Sequence, residues 1–202
     1  MPKWLKSGRK GKNMEQQLDR IKIDTIKEIN GSSYEEAVRV YEILHSPLNR
    51  THFAHPYPTP ENILAVSEAH NGMHVLVTRN EEDRVVATAT LQDAPYPQND
   101  NFIVLFGVDE QYQGKGYGRK MLDVTLDFAF TTPDHEGRER QAIHAAVVMG
   151  IDGWWKMYRL LRSNDFIPGA IWPGQFENGG KVANDVIRLF LQRKNYEQRT
   201  SD

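Results

Sequence analysis

Apolar residues recur at helical spacing in some segments and in short strand-like runs in others, and the two kinds follow one another along the chain. After the polar stretch E-Q-Q, Leu18, Ile21 and Ile23 give a loose alternating pattern that predicts an edge strand. Ser33 with Glu36 makes a capping box, and Ala37, Val40, Tyr41 and Leu44 behind it share one stripe, which predicts a helix over 34–45. A long, turn-rich and aromatic loop then reaches Thr59 and Pro60, suited to the cap and first position of a second helix that Gly72 ends. The runs at 73–79 and 84–91 flank N-E-E-D and predict an antiparallel hairpin.

The second half repeats the alternation. An apolar run at 102–108 leads through a glycine-rich turn into a helix whose inward face carries Met121, Leu122, Thr125, Leu126 and Ala129. A strand at 142–149 completes a β-α-β crossover with parallel pairing. A helix at 154–164 and two closing strands, the first around Ile171 to Phe176 and the second at 185–191, end the order β-α-α-β-β-β-α-β-α-β-β. This is an α/β architecture, a mixed central sheet with helices on both faces.

Composition narrows the picture. The 202 residues, 39% of them apolar, suit one domain, set at 18–195 between a basic tail at 1–17 and a polar C-terminal tail at 196–202. The 25 basic and 27 acidic residues leave a net charge of -2, so no overall field draws nucleic acid or an anionic membrane. Lys3, Lys6, Arg9, Lys10 and Lys12 make the start locally basic, which reads as a solvated tail and not as a nucleic-acid arm. Cysteine is absent, which removes disulfides, thiolate zinc sites and any acyl-cysteine intermediate. No apolar run reaches the length of a membrane span or a signal peptide, so a soluble cytoplasmic protein is expected. His52 with His55, and His70 with His74, lack a third ligand, and no metal is expected. A homodimer is compatible with the sequence, which does not test it.

The chemistry concentrates at 108–119, V-D-E-Q-Y-Q-G-K-G-Y-G-R. Gly114, Gly116 and Gly118 open a helix directly after a strand, where backbone amides and the positive end of the helix suit a phosphate or pyrophosphate. The P-loop pattern fails, because Gly107 to Gly114 is too long and Lys115 precedes a glycine instead of a hydroxyl residue. The dinucleotide fingerprint fails because its third glycine comes one position early.

Gln113, Gly116 and Gly118 match the Q/R-x-x-G-x-G/A signature, and with the element order over 18–193 the chain resembles the GNAT superfamily of acetyl-CoA-dependent N-acetyltransferases. The resemblance implies that acetyl-CoA is the cosubstrate, that Gln113, Gly114, Lys115, Gly116, Tyr117, Gly118 and Arg119 hold its pyrophosphate, and that Val108 meets the pantetheine arm. It also implies that the backbone N–H of Val108 is the oxyanion donor. L-L-R-S-N-D-F at 160–166 resembles the family's L-Y-x-x-x-G-F, but Leu161 replaces the tyrosine that protonates the departing thiolate, and Asp165 replaces the glycine. Tyr158, about one turn earlier, is the substitute acid, with a packed helix tyrosine as the alternative. Asp152 reads as a helix cap rather than a base. Asp93, Glu110 and His144 are candidate bases, each read first as structural. By the same resemblance the acceptor, a small-molecule amine or a peptide, enters between the loop after the first helix and the last two strands, where Phe53, Tyr57, Trp172 and Phe176 supply an aromatic lining. Two functions follow: acetyl transfer to a primary amine, or a catalytically silent acetyl-CoA-binding module.

Overall fold

A computed structural model describes residues 27–28, 34–50, 57–68, 72–93, 100–150, 153–177 and 183–201. Among these, seven strands form one sheet in the order β1-β2-β3-β4-β5-β7-β6. They are β1 (Lys27–Glu28), β2 (Met73–Arg79), β3 (Val85–Gln92), β4 (Asp100–Val108), β5 (Ala142–Val148), β6 (Ile167–Glu177) and β7 (Ala183–Gln192). All neighbours run antiparallel except β4 and β5, which are parallel as the crossover demands. The helices are α1 (Tyr34–His45), the one-turn α2 (Pro47–Arg50), α3 (Pro60–Glu68), α4 (Tyr117–Thr131), α5 (Trp154–Arg162) and α6 (Arg193–Ser201). From α1 onward the described chain has the mixed sheet that its periodicities predict, and the predicted order of elements with the one-turn α2 and the C-terminal α6 added. The expected strand at 18–23 and the Ser33 cap lie outside the described residues.

Alternation along the strands splits the core into two layers. Val75, Val77, Val85 and Leu105 face α1 and α3, packing with Ala37, Val40, Ile43, Leu44 and Ile63. Leu76, Ala87 and Ala89 point the other way, to Met121 of α4. The β5 residues Ile143, Ala145 and Val147 join the same α4 layer with Leu161 of α5. At Gly107 an added Cβ would stand 3.1 Å and 3.2 Å from Ile43 and Leu44, so a glycine there lets α1 lie close on β4. No helix among the described residues is long and apolar enough to cross a membrane.

Two local features depart from the sequence reading. Residues 193–201 are helical rather than a tail from 196. Tyr196 stacks on Phe130 at 4.8 Å, and Arg199 donates to Asn164 Oδ1 at 2.7 Å and Asp123 Oδ1 at 2.8 Å, so side-chain anchors give a polar helix a docked position. α5 ends at Arg162, two residues before the expected end. Asp165 adopts φ 64°, Phe166 N–H donates to Leu161 O at 3.2 Å and Asp165 N–H to Arg162 O at 3.3 Å. This is a Schellman stop with Phe166 packed on Leu161 in the core. The left-handed position explains why glycine is usual there.

At one end of the sheet the side chains of Asp93 and Arg140 are fully buried together. Arg140 Nε donates to Asp93 Oδ1 at 2.7 Å, Nη1 donates to Ala129 O and Thr132 O, and His135 N–H donates to Asp93 Oδ2 at 2.9 Å. Burial by itself would raise the Asp93 pKa, but hydrogen bonds from His74 and Arg140, the Arg140 charge and the His135 amide outweigh it and hold the carboxyl well below its usual range.

Asp165→Gly is expected to raise stability by about 0.5–1 kcal/mol through relief of the left-handed strain, read as a higher urea midpoint; a lower midpoint contradicts the Schellman account. Asp93→Asn strands the buried Arg140 charge and is expected to cost about 3–5 kcal/mol at neutral pH. Because the folded-state pKa of Asp93 is depressed, its contribution is complete above the ordinary carboxylate range and is lost as pH falls below about 4. Urea titrations from neutral to acid pH should show wild-type stability falling more steeply than that of the variant.

Candidate active site

Where β3 meets β4, Thr90 pairs with Leu105 but Leu91 pairs with Ile103, which leaves Val104 as an extra residue. This β-bulge reverses the facing of the strand on either side of it. Leu105 therefore belongs to the α1 and α3 layer while Ile103 belongs to the α4 layer, although they are two residues apart. Pairing of β4 with β5 also ends there, at Ile103 opposite Ala145. Beyond that point the two parallel strands part, and the gap is a cavity of about 340 Å³. β4 residues within 103–108 form one wall, 145–148 of β5 the other, and Gly153, Trp154, Lys156, Met157 and Leu160 of the α5 region close it.

Val108 presents its backbone to this gap. Asp109 N–H donates to Val86 O at 2.9 Å, so in the antiparallel ladder Val108 opposite Ala87 is a non-hydrogen-bonded pair. Its N–H and C=O therefore point away from β3, toward the side where no ladder continues among the described residues. Val108 O accepts from Asn49 Nδ2 at 2.9 Å and from Gln113 Nε2 at 3.2 Å.

The glycine turn sits at the same end. Asp109 accepts from Gln111 N–H at 2.8 Å to start a 3-10 turn at Glu110–Tyr112, and Arg39 of α1 forms an ion pair with Asp109. Tyr112 accepts from Asn80 Nδ2 at 3.0 Å, which ties the turn to the β2–β3 connection. Gly114 and Gly116 then take φ 73° and 89°, a conformation that side chains disfavour, and Gly116 caps the 15-residue α4 without a side-chain bond. Nothing lies within 4 Å of where a Gly114 Cβ would be. Gly114 thus faces open space just ahead of the positive end of a long helix, beside the cavity that Gly114 and Gly118 line. The residues present fit a phosphate-bearing thioester such as acetyl-CoA.

Of the residues expected to hold the cofactor, Val108, Gln113, Gly114 and Gly118 line the cavity, and Lys115, Gly116, Tyr117 and Arg119 do not. Gln113 turns its side-chain amide back onto the strand. Tyr117 is buried edge-on against Tyr112, its hydroxyl pKa raised first by burial. Lys115 Nζ lies 5.3 Å from the Tyr112 ring, and Arg119 is exposed on the first turn of α4.

The expected catalytic and acceptor residues are scattered. Tyr158 is not on the cavity wall: it packs on the α4-side core with its ring 6.1 Å from Trp154, while Trp154 and Met157 of the same helix do line the space. Leu161, in the tyrosine's place, is wholly buried. Tyr57 is a core residue under α1 and α3, bonded to Thr90 Oγ1 at 3.2 Å, not part of an open lining. Trp172 is 40% exposed on the edge strand β6 with Arg188 over its ring, and Phe176 lies further along β6 opposite Asn184. Phe53, Asp152, His52, His55 and His70 lie outside the described residues.

Each candidate base has a structural contact: Asp93 is in its buried ion pair, Glu110 accepts from Leu48 N–H at 3.0 Å, and His144 Nδ1 accepts from Arg188 Nε at 3.1 Å. Among the described residues no cluster could hold a metal ion. Sequence reasoning missed Asn49, Met157 and Leu160. Asn49 meets Val108 across 59 positions, a proximity that no local pattern encodes.

Comparison with solved structures finds the same architecture. Spermidine N-acetyltransferase from Vibrio cholerae in complex with CoA and spermine superposes with a TM-score of 0.70 at 16% identity, over 89% of this chain and 99% of that one. The ribosomal-protein-S5-alanine acetyltransferase from Vibrio fischeri gives 0.64 at 18% identity, over 85% and 93%. No curated protein sequence matches. The model of the Acetyltransferase (GNAT) family matches residues 37–145, more than half of the chain and the stretch that holds most of α1, the bulged β4, the glycine turn and α4. The chain belongs to the GNAT family of acetyltransferases.

Proposed function

We propose that this protein transfers the acetyl group of acetyl-CoA directly to a primary amine of a small molecule or a peptide. The observation that carries the reading is the gap between β4 and β5, which joins the glycine cradle at the head of α4 to the backbone of Val108. Bound acetyl-CoA supplies an activated thioester. The chain's own groups bind and polarise: the α4 amides with Gly114 and Gly116 take the anionic end, the walls of the gap take the arm, and Val108 N–H donates to the oxygen on which negative charge develops. With no cysteine in the chain, transfer has no thiol intermediate and passes straight to the amine. The enzymes of similar fold support an amine acceptor, since their names identify a polyamine and a ribosomal-protein alanine as what they act on.

The alternative is a silent acetyl-CoA-binding module, and one observation favours it: the wholly buried Leu161 stands where the proton-donating tyrosine is usual, with Tyr158 off the wall. CoA release measured with spermidine, an alanyl peptide and free amino acids as acceptors separates the two. Turnover on any of them is expected; tight acetyl-CoA binding with no turnover on all of them supports the module.

At Gly118 an added Cβ would meet Val108 and Leu160 at 3.6 Å and 3.8 Å, ordinary contacts, while a longer side chain would enter the cavity. Gly118→Leu is therefore expected to fold normally and to weaken acetyl-CoA binding about ten-fold or more by calorimetry, and undiminished affinity contradicts the cofactor assignment. Because the Tyr158 ring packs outside the cavity, Tyr158→Phe is expected to keep kcat within about two-fold; a large fall with unchanged cofactor affinity restores Tyr158 as the acid.

A further inference from the structure

The cavity wall contains one buried polar side chain whose hydrogen-bonding capacity is only half used. Asn49, 6% exposed on α2, donates Nδ2–H to Ile43 O at 2.8 Å and to Val108 O at 2.9 Å. Both partners are carbonyl oxygens, so they fix which end of the amide is nitrogen and hold the carboxamide in one orientation. Its other end, Oδ1, accepts no hydrogen bond from any described residue. That oxygen is not among the buried atoms without a partner, so it is not sealed from solvent, and Asn49 is one of the residues that line the cavity. A buried acceptor locked in place and left open is a site for a donor.

Its location decides which donor. α2 follows α1, which packs on one face of the sheet, whereas α4 and its glycine cradle lie on the other. The gap between β4 and β5 passes from one face to the other, and Val108 O sits between them, held by Asn49 from the α1 side and by Gln113 from the cradle side. The anionic ligand belongs to the cradle. On the transfer reading that leaves the α1 side of the gap, where Asn49 stands, to the acceptor.

We infer that Asn49 is the acceptor-binding residue of this enzyme, its Oδ1 taking an N–H of the reacting amine and setting that nitrogen beside Val108. The inference rests on the transfer reading above and gives it a residue on the acceptor side. The neutral oxygen accepts from the amine before and after its proton is lost, so it orients the nucleophile without serving as its base. A donor on the nitrogen is required: an amine with no N–H loses this contact.

The test uses the full chain and the acceptor that turns over fastest among spermidine, an alanyl peptide and free amino acids. Asn49→Leu keeps the branched four-atom shape of the side chain, in a somewhat larger volume, and removes its polar groups. It removes the Nδ2 bond to Val108 O together with Oδ1, so acetyl-CoA binding weakens somewhat, while acceptor KM is expected to rise about ten-fold or more, by more than acetyl-CoA affinity falls, and kcat/KM falls with it. Weakened acetyl-CoA binding with an unchanged acceptor KM overturns the assignment alone, because Oδ1 then serves the cofactor. A wild-type protein that acetylates none of the acceptors overturns the transfer reading and this assignment with it. Should the variant fail to fold, the wild-type protein saturated with CoA is titrated with the same amine and with its N,N,N-trimethyl analogue, which keeps the charge and has no N–H. Binding of the analogue about ten-fold weaker or more supports the contact, and equal binding overturns it.

Discussion

Hydrogen bonding between β4 and β5 begins at Asp100 opposite Ala142 and ends at Ile103 opposite Ala145, and the working parts of the molecule are arranged around that short pairing. A parallel pair continued to Val108 would seal the sheet and leave no cavity. A pair that never formed would let the two halves separate, because β4 is the only neighbour of β5 on that side. The closed end is reinforced by the buried Asp93 and Arg140, which join the segment after β3 to the segment before β5, while Arg193 Nε donates to Arg140 O at 2.9 Å and adds the start of α6. The open end is made by the bulge at Val104, which turns the strand and ends regular pairing at one residue. Buried charge at one end and a local irregularity at the other together produce a sheet that is rigid below and split above.

The split has a price in unpaired backbone, and the chain meets it with side chains from distant segments. Val108 O, deprived of a ladder partner, is satisfied by Asn49 and Gln113, and Asp109 beside it is held by Arg39 and by its own turn. The same contacts fix the glycine turn, since Gln113 and Asp109 bracket the 3-10 turn that leads into Gly114. Positioning of the cradle, of the strand end and of α1 is thus one network in which a change at Arg39 or Asn49 reaches Val108 through a single hydrogen-bonded step.

The sequence carried the parts of this arrangement that are local. Periodicity placed α1, the β2–β3 hairpin, α4 and the parallel β5 within a few residues, because each depends on neighbours in the chain. The cradle was legible in Gly114 and Gly116 since backbone at φ 73° and 89° leaves few residue types suitable. The bulge at Val104 was not, as V-L in an apolar run looks like any two strand residues and the irregularity appears only against Thr90 and Leu91. The surroundings of Tyr57 are illegible for a related reason: an aromatic residue in a polar loop looks the same whether its hydroxyl meets a ligand or, as here, Thr90. The polar stretch 193–201 has no apolar stripe to announce a helix, and only the pockets offered by Phe130, Asn164 and Asp123 give it one.

The replacement at Leu161 follows from the same division of labour. α5 must supply both a lid for the cavity and a plug for the core, and its faces are assigned by 3.6-residue spacing: Gly153, Met157 and Leu160 to the cavity, Leu161 and the following Phe166 to the core. A residue at 161 is therefore wholly inside in this chain, and a phenol there would need a buried partner that the surrounding Leu, Ile and Val side chains do not provide. With the helix set at this rotation, α5 turns an apolar wall and one lysine to the gap, opposite the backbone of β4 and the side chains of Asn49 and Gln113. On the proposed transfer reading, such a site would draw on alignment and on the Val108 amide more than on a dedicated acid, which would place the burden of precision on the contacts that hold Val108.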